Sequence, residues 1–286
     1  MTLINLIFLF AAGAGTGVLG ALLGTGGGVF LIPILVVGLD VPMHHAVATS
    51  ILTVIATSSA VASANVERGL ANMRLGMTLE IATASGAIAG GLTAAWLAPE
   101  TLETLFAVSL VPTAVLMWNS SYRAPMGTQP AAPRTGNSGS PPASAAALGG
   151  HYYDAALGRE INYDVERLWA GLGVSFVAGN LSGLLGIGGG VFKVPALHLL
   201  CGVPIKAAAA TSNFMIGVTA AASAFLYYGH GEVQLQLTAA VVLGVLAGSA
   251  VGFWLSRFVG GKWIKRLFAV LLLAVAAQMF VRAWWS

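Results

Sequence analysis

Three kinds of residue in this chain could act on a polar solute in an apolar setting. Thr49-Ser50 and Thr211-Ser212-Asn213 offer hydroxyls and one amide for hydrogen bonding. The bland alternative is that these hydroxyls bond back to the preceding helical turn, as membrane Ser and Thr commonly do. Lys193 is a cation that no loop accommodates, three residues past a glycine cluster. A lysine in a membrane segment is costly and by default a functional candidate, unless it snorkels to the cytoplasmic interface. Glu80 falls early in a helix expected to begin near Leu75. There a carboxylate could titrate and couple proton movement to transport, or pair with Arg74 or Arg68 at the interface.

Other chemistry is poorly served. Cys201 is the single cysteine, and the five histidines form no Cys/His/Asp cluster, so neither a metal site nor a cofactor is expected. His44, His45 and Lys206 read as loop residues and His198 as a core histidine. An enzyme would need a nucleophile with its base, or a metal constellation, and the membrane segments supply neither. Residues Gly15 to Gly20 match G-x-G-x-x-G, with Asp40 further on, but no strand precedes them and the second half lacks a copy; a dinucleotide fingerprint needs strand, turn and helix in that order. A basic stripe with interleaved aromatics, as nucleic-acid binding requires, is also missing.

The glycines carry more. Gly24 and Gly26 to Gly28 recur as Gly186 and Gly188 to Gly190. Backbone at membrane depth leaves the helical state only where it is buried in protein or lines a cavity. Three consecutive glycines make such an interruption expected twice, and Pro33 and Pro195 are expected to weaken helical continuity further. Two broken hairpins approaching from opposite faces would aim helix N-termini, the positive ends of their dipoles, at a shared site suited to an anion. Gly13/Gly17, Gly86/Gly90 and Gly244/Gly248/Gly252 instead read as close helix contacts.

The elements that must position these residues are membrane helices. Of 286 residues 57% are apolar and 8% charged, with a mean hydropathy of +0.85, against roughly a quarter charged in a soluble domain. Apolar runs of membrane length occupy 3–22, 43–63, 75–97, 101–119, 168–186, 207–228, 235–257 and 263–284, with shorter runs at 28–39 and 190–201. The N-terminal run lacks the positive n-region of a signal peptide and reads as a membrane segment. The expected division is a first transmembrane repeat over 1–120, a disordered cytoplasmic linker rich in Pro, Gly, Ser and Ala over 121–166, and a second repeat over 167–286.

The two halves repeat one another. LLGTGGGVFLIPIL at 22–35 aligns with LLGIGGGVFKVPAL at 184–197, an offset of 162 residues. The same offset pairs Pro42 with Pro204, Ala48-Thr49-Ser50 with Ala210-Thr211-Ser212, and Gly69 with Gly231. If each half contributes five segments, the second is inverted, and eleven of the thirteen basic residues then fall inside, as the positive-inside rule favours. The fold expected is an all-α polytopic membrane protein with two inverted halves of about five segments each.

The twice-used signature LLGxGGGVFxxPxL, followed by a V-P pair and an ATS triplet, resembles the sulfite exporter TauE/SafE family of membrane transporters. The resemblance implies export or permeation of small anions such as sulfite, sulfoacetate or other organosulfur and carboxylate solutes across the bacterial inner membrane. The motif positions carried over are Gly24, Gly26 to Gly28, Pro33, Thr49 and Ser50, with Gly186, Gly188 to Gly190, Pro195, Thr211, Ser212 and Asn213. The long linker departs from the pattern, as does Ile51, which stands where the second copy has Asn213. The expectation is therefore a secondary transporter working by alternating access. It would be driven by protons or sodium, since no ATP-binding segment is present, with Gly-cluster amides and Thr/Ser hydroxyls coordinating the anion and Lys193 offsetting its charge. The partners expected are the anion, the bilayer and a coupling ion, without nucleic acid, and a homodimer is compatible. A channel-like permease and a non-transporting membrane scaffold are the rivals.

Overall fold

The computed structural model describes residues 3–23, 27–122, 148–154, 158–255, 269–270 and 272–281. Two sets of helices follow one another: α1 (Leu3–Leu23), α2 (Gly28–Leu39), α3 (Met43–Glu67), α4 (Met73–Ala94) and α5 (Pro99–Tyr122), then α6 (Leu168–Leu185), α7 (Gly190–Leu199), α8 (Ile205–Gly229) and α9 (Leu235–Leu255). A last apolar helix, α10, covers Leu272–Val281. The starts of α2, α3 and α4 lie 162 residues before those of α7, α8 and α9, so the sequence repeat is a repeat of elements. Five of the described helices (α3, α4, α6, α8 and α9) are long and apolar enough to cross a membrane.

The protein is mostly helical, but not wholly. Gly150–Asp154 (β1) and Arg159–Tyr163 (β2) form an antiparallel hairpin in which Tyr152 faces Ile161. The helical membrane fold stands, and the hairpin lies within the stretch 121–166 expected to be a disordered linker. Tyr152 and Val165 are buried in an apolar cluster with Leu75, Leu79, Leu197, Cys201, Val203 and Met215, and that burial is what two short strands need for stability. The Pro/Gly/Ser/Ala-rich residues 123–147 lie outside the described residues.

The helices exchange partners between the halves. The most extensive contacts are α1 with α9 and α4 with α6, followed by α3 with α8; α9 corresponds to α4 and α6 to α1, so each outer pair takes one helix from each half. Small residues make these pairs close. A Cβ on Gly13 or Gly17 would strike the carbonyl of Val241 or Val245, and one on Gly244 or Gly248 the carbonyl of Phe10 or Ala14. On the other side Gly86 and Gly90 meet the Phe176 and Asn180 carbonyls, while Gly179 and Gly183 meet those of Thr83 and Ala87. Backbones this close are what small-xxx-small spacing permits.

The outer surface is apolar, with Ile81, Phe225, Leu235 and Trp169 among its most exposed side chains. Such a surface suits lipid rather than water.

Candidate transport site

The chain leaves the helical state at both glycine clusters. Helix α6 ends at Leu185, Gly186 takes a left-handed φ of 68°, and Gly188 and Gly189 follow at 75° and 68° before α7 begins. In the first half α2 starts after Gly27, whose φ is 79°. Only glycine visits this region without steric cost. Gly27 and Gly189 each accept from the amides three and four residues on: Phe30 and Leu31 in one case, Phe192 and Lys193 in the other. Gly24 and Gly26 lie outside the described residues. Pro33 and Pro195, expected to weaken the helices, sit inside α2 and α7 without ending them. Each removes a single amide donor, which these short helices tolerate; the breaks belong to the glycines.

The two breaks face one another. A Cβ on Gly28 would lie 2.6 Å from Ser50 Oγ and 3.0 Å from the Gly186 carbonyl, so α2 of the first half abuts the break of the second. Gly188 is packed between Val54 of α3 and Ile216 of α8, and Gly190 lies against Ile216 and Ser212. The crossing helices α3 and α8 thus carry the hydroxyl sets to the breaks.

Those hydroxyls divide into two groups. Thr53, Thr57, Ser58, Thr83, Ser109 and Thr113 bond back to their own helix. Thr49, Ser50 and Thr211 instead make links across the repeat: Thr49 Oγ1 to Thr238 Oγ1 at 3.2 Å, Ser50 Oγ donating to the Gly186 carbonyl at 2.8 Å, and Thr211 Oγ1 accepting from the Asn72 amide at 2.9 Å. Ser212 Oγ is buried with no partner among the described residues. Asn213 lines a cavity of about 300 Å³ between α1, α3, α8 and α9, with Thr57, Ser58, Asn65, Lys206, Ile216 and Ser249. Ile216 is shared: it borders the cavity and covers Gly188 and Gly190.

Lys193 and Glu80, separate in the sequence reading, are joined. Lys193 is only 1% exposed and Glu80 7%. Lys193 Nζ donates to Thr219 Oγ1 at 2.8 Å, and Thr219 Oγ1 lies 2.8 Å from Glu80 Oε1 and 2.7 Å from the Met215 carbonyl. Lys193 is enclosed by protein rather than extended to the surface, and Glu80 reaches Lys193 through Thr219 rather than pairing with Arg74 or Arg68. Thr219 is the residue missed by sequence reasoning. Its counterpart in the first half is Thr57, and that duplication was the available signal.

A family profile described as "Sulfite exporter TauE/SafE" matches residues 9–279. The chain belongs to the TauE/SafE family. It is a membrane transporter by that membership, and curated members align along its whole length. The "Probable membrane transporter protein YunE" of Bacillus subtilis is 25% identical over 96% of this chain and 97% of its own. A "Probable membrane transporter protein" of Xylella fastidiosa is 26% identical over 100% and 99%. A third relative, "Probable membrane transporter protein MJ0441" of Methanocaldococcus jannaschii, is 30% identical over 37% of this TauE/SafE chain and 42% of its own. No solved structure matches.

Proposed function

We propose that this TauE/SafE protein is a secondary transporter that moves a small sulfur-containing anion, such as sulfite or sulfoacetate, across the bacterial inner membrane by alternating access. The observation that carries the reading is the meeting of two non-helical glycine breaks in the protein interior, beside a buried lysine and next to a cavity whose lining includes Asn213, Ser58 and Thr57. Amides at the starts of α2 and α7 supply positive dipole ends, Ser212 supplies a buried hydroxyl without a partner, and Asn213 supplies an amide to the cavity.

An inverted arrangement of the halves is part of this proposal. It is supported by the course of α3 and α8. His45, near the start of α3, lies 3.1 Å from Glu232, beyond the end of α8, while Asn72, beyond the end of α3, bonds Thr211 near the start of α8. Counterpart helices thus run in opposite directions past the site, and rocking one half against the other would open it to alternate faces. The hairpin, Lys206 and Arg74 then fall on the cytoplasmic side.

The test is flux in proteoliposomes. Labelled sulfite or sulfoacetate should enter saturably, compete with the unlabelled anion, and slow markedly with Asn213→Ala at unchanged protein insertion. Non-saturable flux would indicate a channel instead. Absence of flux for sulfite, sulfoacetate, sulfate and simple carboxylates would overturn the proposal.

A further inference from the structure

We propose that Glu80, Thr219 and Lys193 form the site where a proton is taken up together with the transported anion, so that the coupling ion is a proton and its carrier is Glu80. The inference rests on the transport reading above and extends it to the coupling mechanism.

The three residues come from three helices, α4, α8 and α7, of which α7 directly follows the second glycine break. Lys193 reaches back past that break: its Cε lies 3.5 Å from where a Gly189 Cβ would stand. The ammonium is therefore beside the proposed anion position, and at the same time it is held by Thr219. Thr219 has a single hydroxyl proton and two acceptors, Glu80 Oε1 and the Met215 carbonyl, at nearly equal distance. It can turn toward the carboxylate or toward its own helix without losing the lysine. Glu80 Oε2 is buried without a hydrogen bond of good geometry among the described residues, and the Thr83 hydroxyl one turn along α4 is the side chain beside the carboxylate besides Thr219, which leaves room for a proton.

Charge balance supplies the mechanism. With the site empty, Lys193 and Glu80 neutralise one another through the Thr219 hydroxyl. Bringing an anion to Lys193 would leave an uncompensated negative charge in a low-dielectric interior, which is costly. Protonation of Glu80 on Oε2 removes that charge, lets Thr219 turn to Met215, and frees the ammonium for the anion. Release of the anion reverses each step. Glu80 acts as an internal substitute for one negative charge of the substrate: a singly charged anion leaves the net charge of the site unchanged, and a dianion such as sulfoacetate adds one charge instead of two.

The surroundings leave Glu80 and Lys193 to each other. Helix α6, packed on α4, carries no Asp, Glu, Lys, Arg or His. On α8 the other ionisable groups are Lys206, at the opening of the cavity-lining helix, the exposed Tyr228, and Tyr227, whose hydroxyl donates to the Gly183 and Leu184 carbonyls. On α7 His198 bonds the Val203 carbonyl, and on α4 itself Arg74 lies in the exposed first turn.

Proteoliposomes loaded with a trapped pH dye test this directly, using sulfoacetate as the probe. Wild-type uptake should be accelerated by an inwardly directed proton gradient and accompanied by acidification of the lumen. Glu80→Gln keeps the shape and one acceptor for Thr219, so exchange of labelled for unlabelled sulfoacetate should persist while gradient-driven net uptake and acidification are lost. Thr219→Val should lose coupling in the same way, and Thr219→Ser should restore it. Infrared difference spectra of the detergent-purified protein, with sulfoacetate minus without, should show the C=O stretch of a protonated carboxyl in wild type and not in Glu80→Gln. Anion flux in wild type without proton movement would overturn the coupling and leave the transport reading standing. Proton-driven uptake retained by Glu80→Gln, or exchange lost along with coupling, would overturn the assignment to Glu80. Wild-type protein that carries no tested anion would remove both proposals.

Discussion

Ser50 Oγ donates a 2.8 Å hydrogen bond to the carbonyl of Gly186, tying the α3 helix of one half to the backbone break of the other. The acceptor is one that no helix can satisfy, because α6 has ended and α7 has not begun. Removing the donor leaves a buried carbonyl without a partner, which costs about 1–3 kcal/mol. Ser50→Ala should therefore lower the unfolding free energy in detergent or denaturant titration by that amount. Gly28→Ala should have a comparable effect by displacing the same hydroxyl, since its Cβ would sit 2.6 Å from Ser50 Oγ.

The interlocked glycines make a sharper contrast. A side chain on Gly179 or Gly248 would collide with the backbone of the partner helix, at Thr83 or Ala14. Gly179→Val and Gly248→Val should each cost more than about 3 kcal/mol and abolish the monodisperse peak in size-exclusion chromatography. Gly15 and Gly173 meet nothing within 4 Å. Alanine at either should be neutral or stabilise by up to about 1 kcal/mol, as the better helix former.

Asn72 joins three elements. Its Oδ1 caps α4 by accepting from the Leu75 amide at 3.0 Å, its Nδ2 donates to the Leu148 carbonyl ahead of the hairpin, and its own amide bonds Thr211. Asn72→Ala should cost about 1 kcal/mol from the lost cap and raise the rate of limited proteolysis between 148 and 167. Asn72→Asp keeps the cap and loses the amide donor that faces Leu148 and the Tyr163 side chain of the hairpin, so it should separate the two effects: near-normal stability with a protease-sensitive hairpin.

Cys201, in the turn after α7, is buried and offers a pH-dependent probe of that end of the molecule. Burial pushes its thiol above the ordinary range, because the charged thiolate is the form that loses solvation. Folding thus favours the protonated thiol, and its contribution to stability falls as the solution becomes alkaline. Maleimide labelling of the folded protein should be slow at neutral pH, rise only in alkaline solution, and become complete in SDS. Rapid labelling at neutral pH would show that this turn is open.

Much of the architecture could be read from residue types because the repeat is written at fixed spacing. Pro42 and Pro204 precede α3 and α8, and the positive-φ positions Gly27 and Gly189 sit at equivalent places before α2 and α7. These are backbone demands, and glycine and proline announce them locally. The hairpin was not legible. Its strands are five residues each and follow a Pro/Gly/Ser-rich stretch, and they are held by burial of Tyr152 against distant residues, not by their own periodicity. The link between Lys193 and Glu80 was hidden for the same reason. Lys193 was singled out as a costly cation and Glu80 as a titratable carboxylate, but their proximity depends on how α4, α7 and α8 cross, which no spacing within one half encodes. The roles of Thr49 and Thr211 as links between helices, with Ser212 left unpartnered, likewise became visible only once both halves were in place.

The exchange of α1 and α6 between the halves bears on how the molecule is made. During synthesis the first half enters the bilayer with the glycine faces of α1 and α4 uncovered, and the helices that cover them, α9 and α6, leave the ribosome only with the second half. Neither half is a self-sufficient unit. A nascent chain stopped at the linker would present two long grooves of bare backbone to lipid, a form open to quality-control proteolysis, whereas the two halves supplied as separate polypeptides would have every reason to find one another.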